Sequence, residues 1–361
     1  MTLRTTIVGC GAVAQRLYRK PLQQIERRGI LRVAALVDPV AENADALGSF
    51  FPKATLYRDL DEALAASASE LTLILSPAHL HCSQAIQALQ HYSHVLCEKP
   101  MAATEEDCVR MSAVAKETDR VLAVGMIRRF FPAFAQLKQI LQEGQLGTLL
   151  SFEYREGQKF GWDVATPAAF RQRSQGGTGV LFDIAPHVVD YLAWAFGHLR
   201  ALAYSDDALG GIDSNMSLEV DSRWCRGSIH LSWDLPQANE LRVLGSRGEA
   251  VLRVDRFDQL ALNTSSRFEP QEIYVSFPAD VLHPTQRRIC PRNYAEAIYC
   301  QIVQVIRAIK LREPPAADGE DGRRCVSLLE SALAIARPLD VPWLELADQE
   351  AFRRLHWKTG T

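Results

Sequence analysis

Thr5-Thr6-Ile7-Val8-Gly9-Cys10-Gly11-Ala12-Val13-Ala14 decides the fold. A short β-prone run meets a G-x-G-x-x-A turn that opens a helix, and each small residue has its own physical task. Gly9 makes the tight turn, Gly11 lets a pyrophosphate approach the backbone, and Ala14 lets helix and strand pack closely. The amides at the helix start, with Ala12 and Val13, then hold the phosphates. The helix is expected from Ala12 to Lys20, with a break or kink at Pro21 and a second piece to Arg28. Leu31 to Val37 reads as the next strand and ends in Asp38. This acid stands 24 residues past Ala14, near the separation of about 20 typical of the ribose-binding acid of dinucleotide folds. A carboxylate there accepts from a ribose 2′-hydroxyl and repels a 2′-phosphate, so NAD is expected over NADP.

The β-α alternation continues outward. Ala54 to Tyr57, Leu71 to Leu75, His94 to Cys97 and Val121 to Val124 read as strands, with helices over Asp59 to Ala66, Leu80 to Leu89 and Thr104 to Glu117. Thr104 with Asp107 three residues on forms a box-like helix start. Six strands with helices between them predict an α/β fold, a doubly wound parallel sheet of Rossmann type. Ser76-Pro77 ends a strand beside the switch point and is expected along the dinucleotide. His79 and His81 open the next helix, and His81 is a candidate cofactor contact. In His94-Val-Leu-Cys-Glu-Lys-Pro-Met101, Glu98 and Lys99 fall where a buried strand ends. Such strand ends face the crevice where open α/β sheets bind ligands. Lys99 is therefore a candidate catalytic group, with the alternative that Glu98 and Lys99 are ordinary solvated charges.

The pattern changes after Met126. A domain crossing is expected at Arg128-Arg129-Phe130-Phe131-Pro132, dividing the chain into 1–127 and 128–361. The second domain reads as α+β. A helix over Phe134 to Leu141 precedes a strand from Leu149 to Arg155 and several strand-like runs between Ala201 and Phe277. Together these predict one large, mainly antiparallel open sheet, with a hairpin turn at Gly245-Ser246-Arg247-Gly248. Amphipathic helices over Tyr294 to Leu311 and Gly322 to Ala336 follow. Within Gly176 to Leu192 a glycine-rich turn leads into an apolar helix whose polar residues are Asp183, His187 and Asp190. Spacings of four and three place them on one face, and Pro186 is expected to kink the helix near His187. An acid and an imidazole on one face suit proton transfer; the alternative is a structural His–Asp pair.

At 361 residues with 47% apolar and 23% charged residues, the chain has the balance of a soluble two-domain protein. A net charge of −3 and no basic block leave nucleic-acid binding without electrostatic support. No apolar run reaches a membrane span, and no signal-peptide core is read at the start. The eight cysteines are scattered without a Cys-x-x-Cys pair. They read as reduced thiols of a cytoplasmic protein, with neither a disulfide frame nor a metal site expected.

These residues resemble the Gfo/Idh/MocA oxidoreductases, which include inositol and sugar dehydrogenases. The resemblance rests on Gly9-x-Gly11-x-x-Ala14, Asp38, Ser76-Pro77 with His81, Glu98-Lys99-Pro100, and Gly125 with Arg128-Arg129-Phe130. It continues in Gly176-Gly177, Asp183-x-x-x-His187-x-x-Asp190 and the closing Asp318-Gly319-Glu320-Asp321-Gly322. It implies hydride transfer between a nicotinamide and a carbinol carbon of a sugar or cyclitol, with Lys99, Asp183 and His187 at the family's catalytic positions. It also implies a homodimer or homotetramer formed through the second-domain sheet. Two positions depart from the pattern: Ala185-Pro186 replaces a usual glycine and a small or variable residue, and Trp162-Asp163 replaces a frequent Trp-Arg.

The expected chemistry follows from the reaction. Oxidising an alcohol removes a hydride and a proton, and the proton needs a base of suitable pKa. His187 is the expected base, oriented by Asp183, while Lys99 stabilises developing alkoxide charge on the same oxygen. Arg128 and Trp162 are candidate cofactor and substrate contacts. Arg128, Arg155, Lys159, Arg171 and Arg173 lie in segments that could border the substrate crevice and hold a phosphate or carboxylate on the sugar; the favoured alternative is that most are ordinary surface cations. Two other functions fit the same residues: an NAD-dependent glycoside hydrolase that oxidises C3 transiently, and a non-catalytic NAD-sensing regulator.

Overall fold

The computed structural model describes residues 2–159, 179–208, 211–264, 271–274 and 291–339. The chain forms two compact units, Met1–Phe131 with Ser276–Val326, and Pro132–Val275 with Ser327–Thr361.

The first unit is built on strands β1 (Leu3–Val8), β2 (Leu31–Val37), β3 (Thr55–Tyr57), β4 (Leu71–Ile74), β5 (His94–Cys97) and β6 (Leu122–Val124). They form one parallel sheet in the order β3-β2-β1-β4-β5-β6. Order reverses between β1 and β4, the switch point where open sheets bind ligands past the carboxyl ends of their strands. The connecting helices are α1 (Arg19–Arg27), α2 (Ala41–Gly48), α3 (Leu60–Ser67), α4 (His81–Gln90) and α5 (Glu105–Glu117). Strand β4 is buried at every position, as a central parallel strand requires. Asp59 accepts from the Glu62 amide at 3.0 Å and Thr104 from the Asp107 amide at 3.2 Å, which sets the starts of α3 and α5.

Two sequence expectations differ here. Pro21 does not break the first helix. The run from Ala14 to Tyr18 is wound as a π-helix and passes into α1 at Arg19, so the irregularity precedes the proline. Pro21 lies within this continuous helix, shortly after the π-wound turn. The second difference is the division of the chain. Everything past residue 127 was expected in the second domain, yet Ser276–Val326 returns to the first unit. Helix α9 (Tyr294–Leu311) docks there. Its Gln301 amide donates to the Tyr18 hydroxyl at 3.1 Å, and Arg28 donates to the Tyr299 hydroxyl at 2.7 Å.

The second unit holds helices α6 (Pro132–Gln142), α7 (Val180–Asp183) and α8 (Ala185–Phe196). Its strands are β7 (Leu149–Gly157), β8 (Arg200–Asp206), β9 (Asn215–Asp221), β10 (Arg226–Ser232), β11 (Glu240–Gly245), β12 (Gly248–Arg253), β13 (Gln259–Thr264), β14 (Gln271–Tyr274) and β15 (Ala336–Pro338). Among the described residues these nine form one sheet in the order β14-β13-β12-β11-β7-β10-β9-β8-β15. It is antiparallel except where β7 meets β10 and β8 meets β15. Strands such as β9 and β11 alternate buried and more exposed residues, so one face is packed. Phe152 of β7 lies 4.5 Å from Phe196 of α8, and the Tyr191 hydroxyl donates to the Phe134 carbonyl at 3.1 Å, joining sheet, α8 and α6. Helix α10 (Gly319–Ala334) spans the boundary between the units.

Candidate functional site

In the first unit the site begins at the β1 turn. Gly9 adopts φ +86°, and a Cβ there would lie 2.6 Å from the Ser76 amide nitrogen. Only glycine permits this conformation and this approach. The turn is thereby pressed onto the chain leaving β4. A Cβ on Gly11 would meet nothing within 4 Å, so its backbone is open on the side a phosphate would use. Ala14 is buried, as close packing of helix on strand demands. Asp38, at the end of β2, is nearly buried; one carboxylate oxygen accepts from the Cys10 amide at 2.8 Å and the other from the Val40 amide at 2.9 Å. Each oxygen keeps further acceptor capacity, since a carboxylate has about four lone-pair sites. These features fit a dinucleotide: open amides at a helix start and an acid anchored beside them.

The next strand ends continue the arrangement. The chain past β4 carries Ser76 and Pro77, with the Ser76 hydroxyl 2.5 Å from Gln84 Oε1. Past β5, Glu98 and Lys99 are half-buried and the Lys99–Pro100 peptide is cis. Glu98 is a built group rather than a solvated charge. One of its oxygens is 2.5 Å from the Tyr18 hydroxyl and the other accepts the Lys99 amide at 3.0 Å. A Cβ on Gly125 would sit 3.0 Å from the Glu98 carboxylate, so that glycine makes room for it. Burial pushes the Glu98 carboxyl above the usual range, while Tyr18 and the Lys99 charge pull it down. Tyr18 is fully buried on the π-helical segment, a geometry often found at functional sites. Gln301 completes the chain of hydrogen bonds from α9.

Of the groups that surround Glu98 and Lys99, Tyr18 and Gln301 had no signal strong enough to single them out, whereas Arg129 and the Asp318–Gly322 turn stood in the sequence motifs. Tyr18 looks like any core aromatic, and Gln301 lies 283 residues away from it. Gly322, in the first turns of α10, packs so closely that a Cβ would fall 2.5 Å from the Met101 sulfur. Arg129 donates to the Ala316 carbonyl at 2.5 Å and to Asp321 at 3.0 Å, which fastens the Asp318–Asp321 turn.

Two expected cofactor contacts lie in the first unit and are both buried. His81 is 1% exposed, and each ring nitrogen lies against a backbone carbonyl. It is a link between strand ends rather than an open cofactor ligand. Arg128 is 8% exposed in a short 3-10 turn, Ile127–Phe130, after β6. Trp162, with Arg171, Arg173, Gly176 and Gly177, lies outside the described residues.

In the second unit, Asp183 ends α7 and His187 lies in the first turn of α8. The helix is interrupted at Ile184, two residues before Pro186. Without a Pro186 N–H, the His187 amide turns to the Ile184 carbonyl at 3.1 Å, tightening the joint at Ile184. Asp183 and His187 are both half-buried, and Asp190 is buried. Asp213 holds the start of α7: its carboxylate accepts the Leu181 amide at 2.7 Å and its carbonyl the Val180 amide at 2.9 Å. Burial pushes the Asp213 carboxyl up to about 6; the Leu181 amide opposes this, and Asp206 and Asp207 add to it. Among the described residues no group of three or more His, Cys, Asp or Glu side chains suits a metal ion.

Residues 3–126 match a family model described as oxidoreductase family, NAD-binding Rossmann fold, and residues 134–251 match the GFO/IDH/MocA C-terminal domain. The chain belongs to this family of NAD-binding oxidoreductases. It is similar to a levoglucosan dehydrogenase of Pseudarthrobacter phenanthrenivorans, 37% identical over 36% of this chain and 33% of that one. It is also similar to a D-glucoside 3-dehydrogenase of Escherichia coli, 30% identical over 54% of each chain, and to an inositol 2-dehydrogenase of Burkholderia multivorans, 27% identical over 55% of each. The alignments thus span from a third to little more than half the length of these curated relatives. Among solved structures, a levoglucosan dehydrogenase in complex with NADH and levoglucosan has TM-score 0.81 at 21% identity, covering 93% of this chain and 97% of that one. That likeness shows a shared fold.

Proposed function

We propose that the protein is a dehydrogenase that moves a hydride between NAD and a carbinol carbon of a sugar or cyclitol. The observation that carries the reading is the set of three adjoining strand ends, in which the Gly9 turn, the Ser76 backbone and the Glu98-Lys99 pair come from β1, β4 and β5 around the switch point. Amides at Gly11, Ala12 and Val13 would hold the pyrophosphate, and Asp38 a ribose hydroxyl. Bound NAD supplies the hydride acceptor at its nicotinamide ring. Lys99 is assigned to the reacting hydroxyl, where its charge steadies a developing alkoxide. His187 is assigned as the base that takes the hydroxyl proton, with Asp183 orienting the ring.

The named activities of the relatives, on levoglucosan, D-glucosides and inositol, support a polyhydroxylated ring as substrate. Self-association through the exposed face of the large sheet and a cytoplasmic location belong to the same proposal. No helix among the described residues is long and apolar enough to cross a membrane.

The test is NADH formation, followed by absorbance, across sugars, glycosides, sugar phosphates, nucleotide sugars and inositols, with NADP run in parallel. NAD-linked oxidation of a member of the panel is expected. Release of an aglycone without net NADH would replace this reading with the glycosidase. NAD binding with no turnover of any substrate would favour the regulator.

A further inference from the structure

His81 opens α4 and is almost completely buried. Its Nδ1 is 2.8 Å from the Pro100 carbonyl oxygen and its Nε2 is 2.8 Å from the Ser76 carbonyl oxygen. Both partners are backbone, and each belongs to the chain just past a strand end. Pro100 directly follows Lys99. Ser76 is the residue on which Gly9 closes, its amide nitrogen 2.6 Å from where a Gly9 Cβ would stand. One ring therefore spans two strand ends and reaches the nucleotide turn through a third.

We propose that His81 is a positioning residue for Lys99: it ties the Lys99-Pro100 turn to the Ser76 turn and so fixes the lysine against the nucleotide-binding edge of the sheet. The lysine side chain is long and flexible, so its placement depends on where its backbone is anchored. Two anchors act there. Glu98 holds the Lys99 amide from one side, and His81 holds the next carbonyl from the other. Misplacing a catalytic group by about 1 Å can cost up to roughly 100-fold in rate.

The chemistry of the two contacts constrains the ring. A carbonyl only accepts, so each bond needs a ring N–H, and a neutral imidazole has one while the imidazolium has two. Both carbonyls at 2.8 Å receive an N–H together only when the ring is doubly protonated; a neutral tautomer donates to one of them. Burial lowers the ring's affinity for a proton, the two carbonyls raise it, and the neighbouring cations Lys99 and His79 lower it. Because the net direction is downward, both arms are complete on the acid side of the ordinary histidine range. Above it the neutral ring keeps one N–H and one arm.

The kinetic part of the test rests on the dehydrogenase reading; the spectroscopic part does not. His81→Phe keeps a ring of similar size and removes both donors. It is expected to lower kcat about tenfold or more, at a temperature well below its unfolding, while KM for NAD changes less than about threefold. His81→Gln, which keeps an N–H donor, is expected to recover part of the loss. A folded His81→Phe with kcat within about twofold of wild type would overturn the proposal. The full-length wild-type protein, labelled with 15N-histidine, covers the case in which His81→Phe does not fold. At least one ring N–H proton protected from solvent exchange is expected for His81 at pH 8. A His81 ring with no protected N–H at pH 8 would also overturn it.

Discussion

At the scale of single residues, the protein separates holding from reacting. Asp38 shows this in the first unit. Its two oxygens already accept the Cys10 and Val40 amides, so it shapes the turn in which the proposed function places the ribose. Asp38→Ser keeps a small acceptor and removes the charge that repels a 2′-phosphate. The ratio of kcat/KM for NADP to that for NAD is expected to rise about tenfold or more, measured on one substrate with both coenzymes. Lys99 and His187 are the groups that the proposed function assigns to the reaction. Lys99→Ala or His187→Ala is expected to lower kcat by roughly 100-fold or more, with the Kd for NADH from fluorescence little changed. Unchanged turnover in both variants would remove them from the chemistry.

At the scale of elements, the α7–α8 pair is shaped from outside itself. Helix α7 has four residues and cannot hold its own start. Asp213, from the chain before β9, caps it, and Gly179 leaves the space that Asp213 fills. This cap carries a pH dependence. The folded carboxyl titrates at about 6 against an ordinary value of 3.8. The folded protein therefore binds this proton more tightly than the unfolded chain does between those pH values. Stability from this group is complete below about pH 3.8 and is lost as the pH rises through about 6, by roughly 3 kcal/mol in all. Asp213→Asn keeps an oxygen for the Leu181 amide and cannot ionise. Urea unfolding of the variant between pH 4 and pH 7 is expected to lack that part of the decline; an unchanged slope would show that Asp213 is not its source.

At the scale of the whole molecule, the buried thiols among the described residues are inert by placement. Of the seven described cysteines all are free, and six are buried, with Cys225 half-exposed. Burial beside Asp38 pushes Cys10 up to about 12, and burial pushes Cys82 up to about 11. Neither supplies thiolate near neutral pH, the reactive form. Native protein treated with a thiol reagent is expected to leave the six buried cysteines unlabelled, and all are expected to react once it is denatured. Rapid native labelling of Cys10 or Cys82, located by peptide mapping, would contradict this.

The sequence alone determined the parallel sheet, the Gly9 turn, Asp38 at the end of β2, the position of Lys99 past β5 and the helical segment of Asp183 and His187. Each is written in neighbouring residues, as a period of two or 3.6, a glycine spacing or a proline. Tertiary structure alone decided what surrounds them. It chose Tyr18 and Gln301 to stand behind Glu98, turned His81 from a coenzyme contact into a link between strand ends, brought α9 back to the first unit and laid β7 parallel to β10. The physical reason is one of range. A dihedral preference or a turn acts over a few residues, whereas a buried hydroxyl, amide or ring finds its partner wherever packing brings a second polar group within about 3 Å.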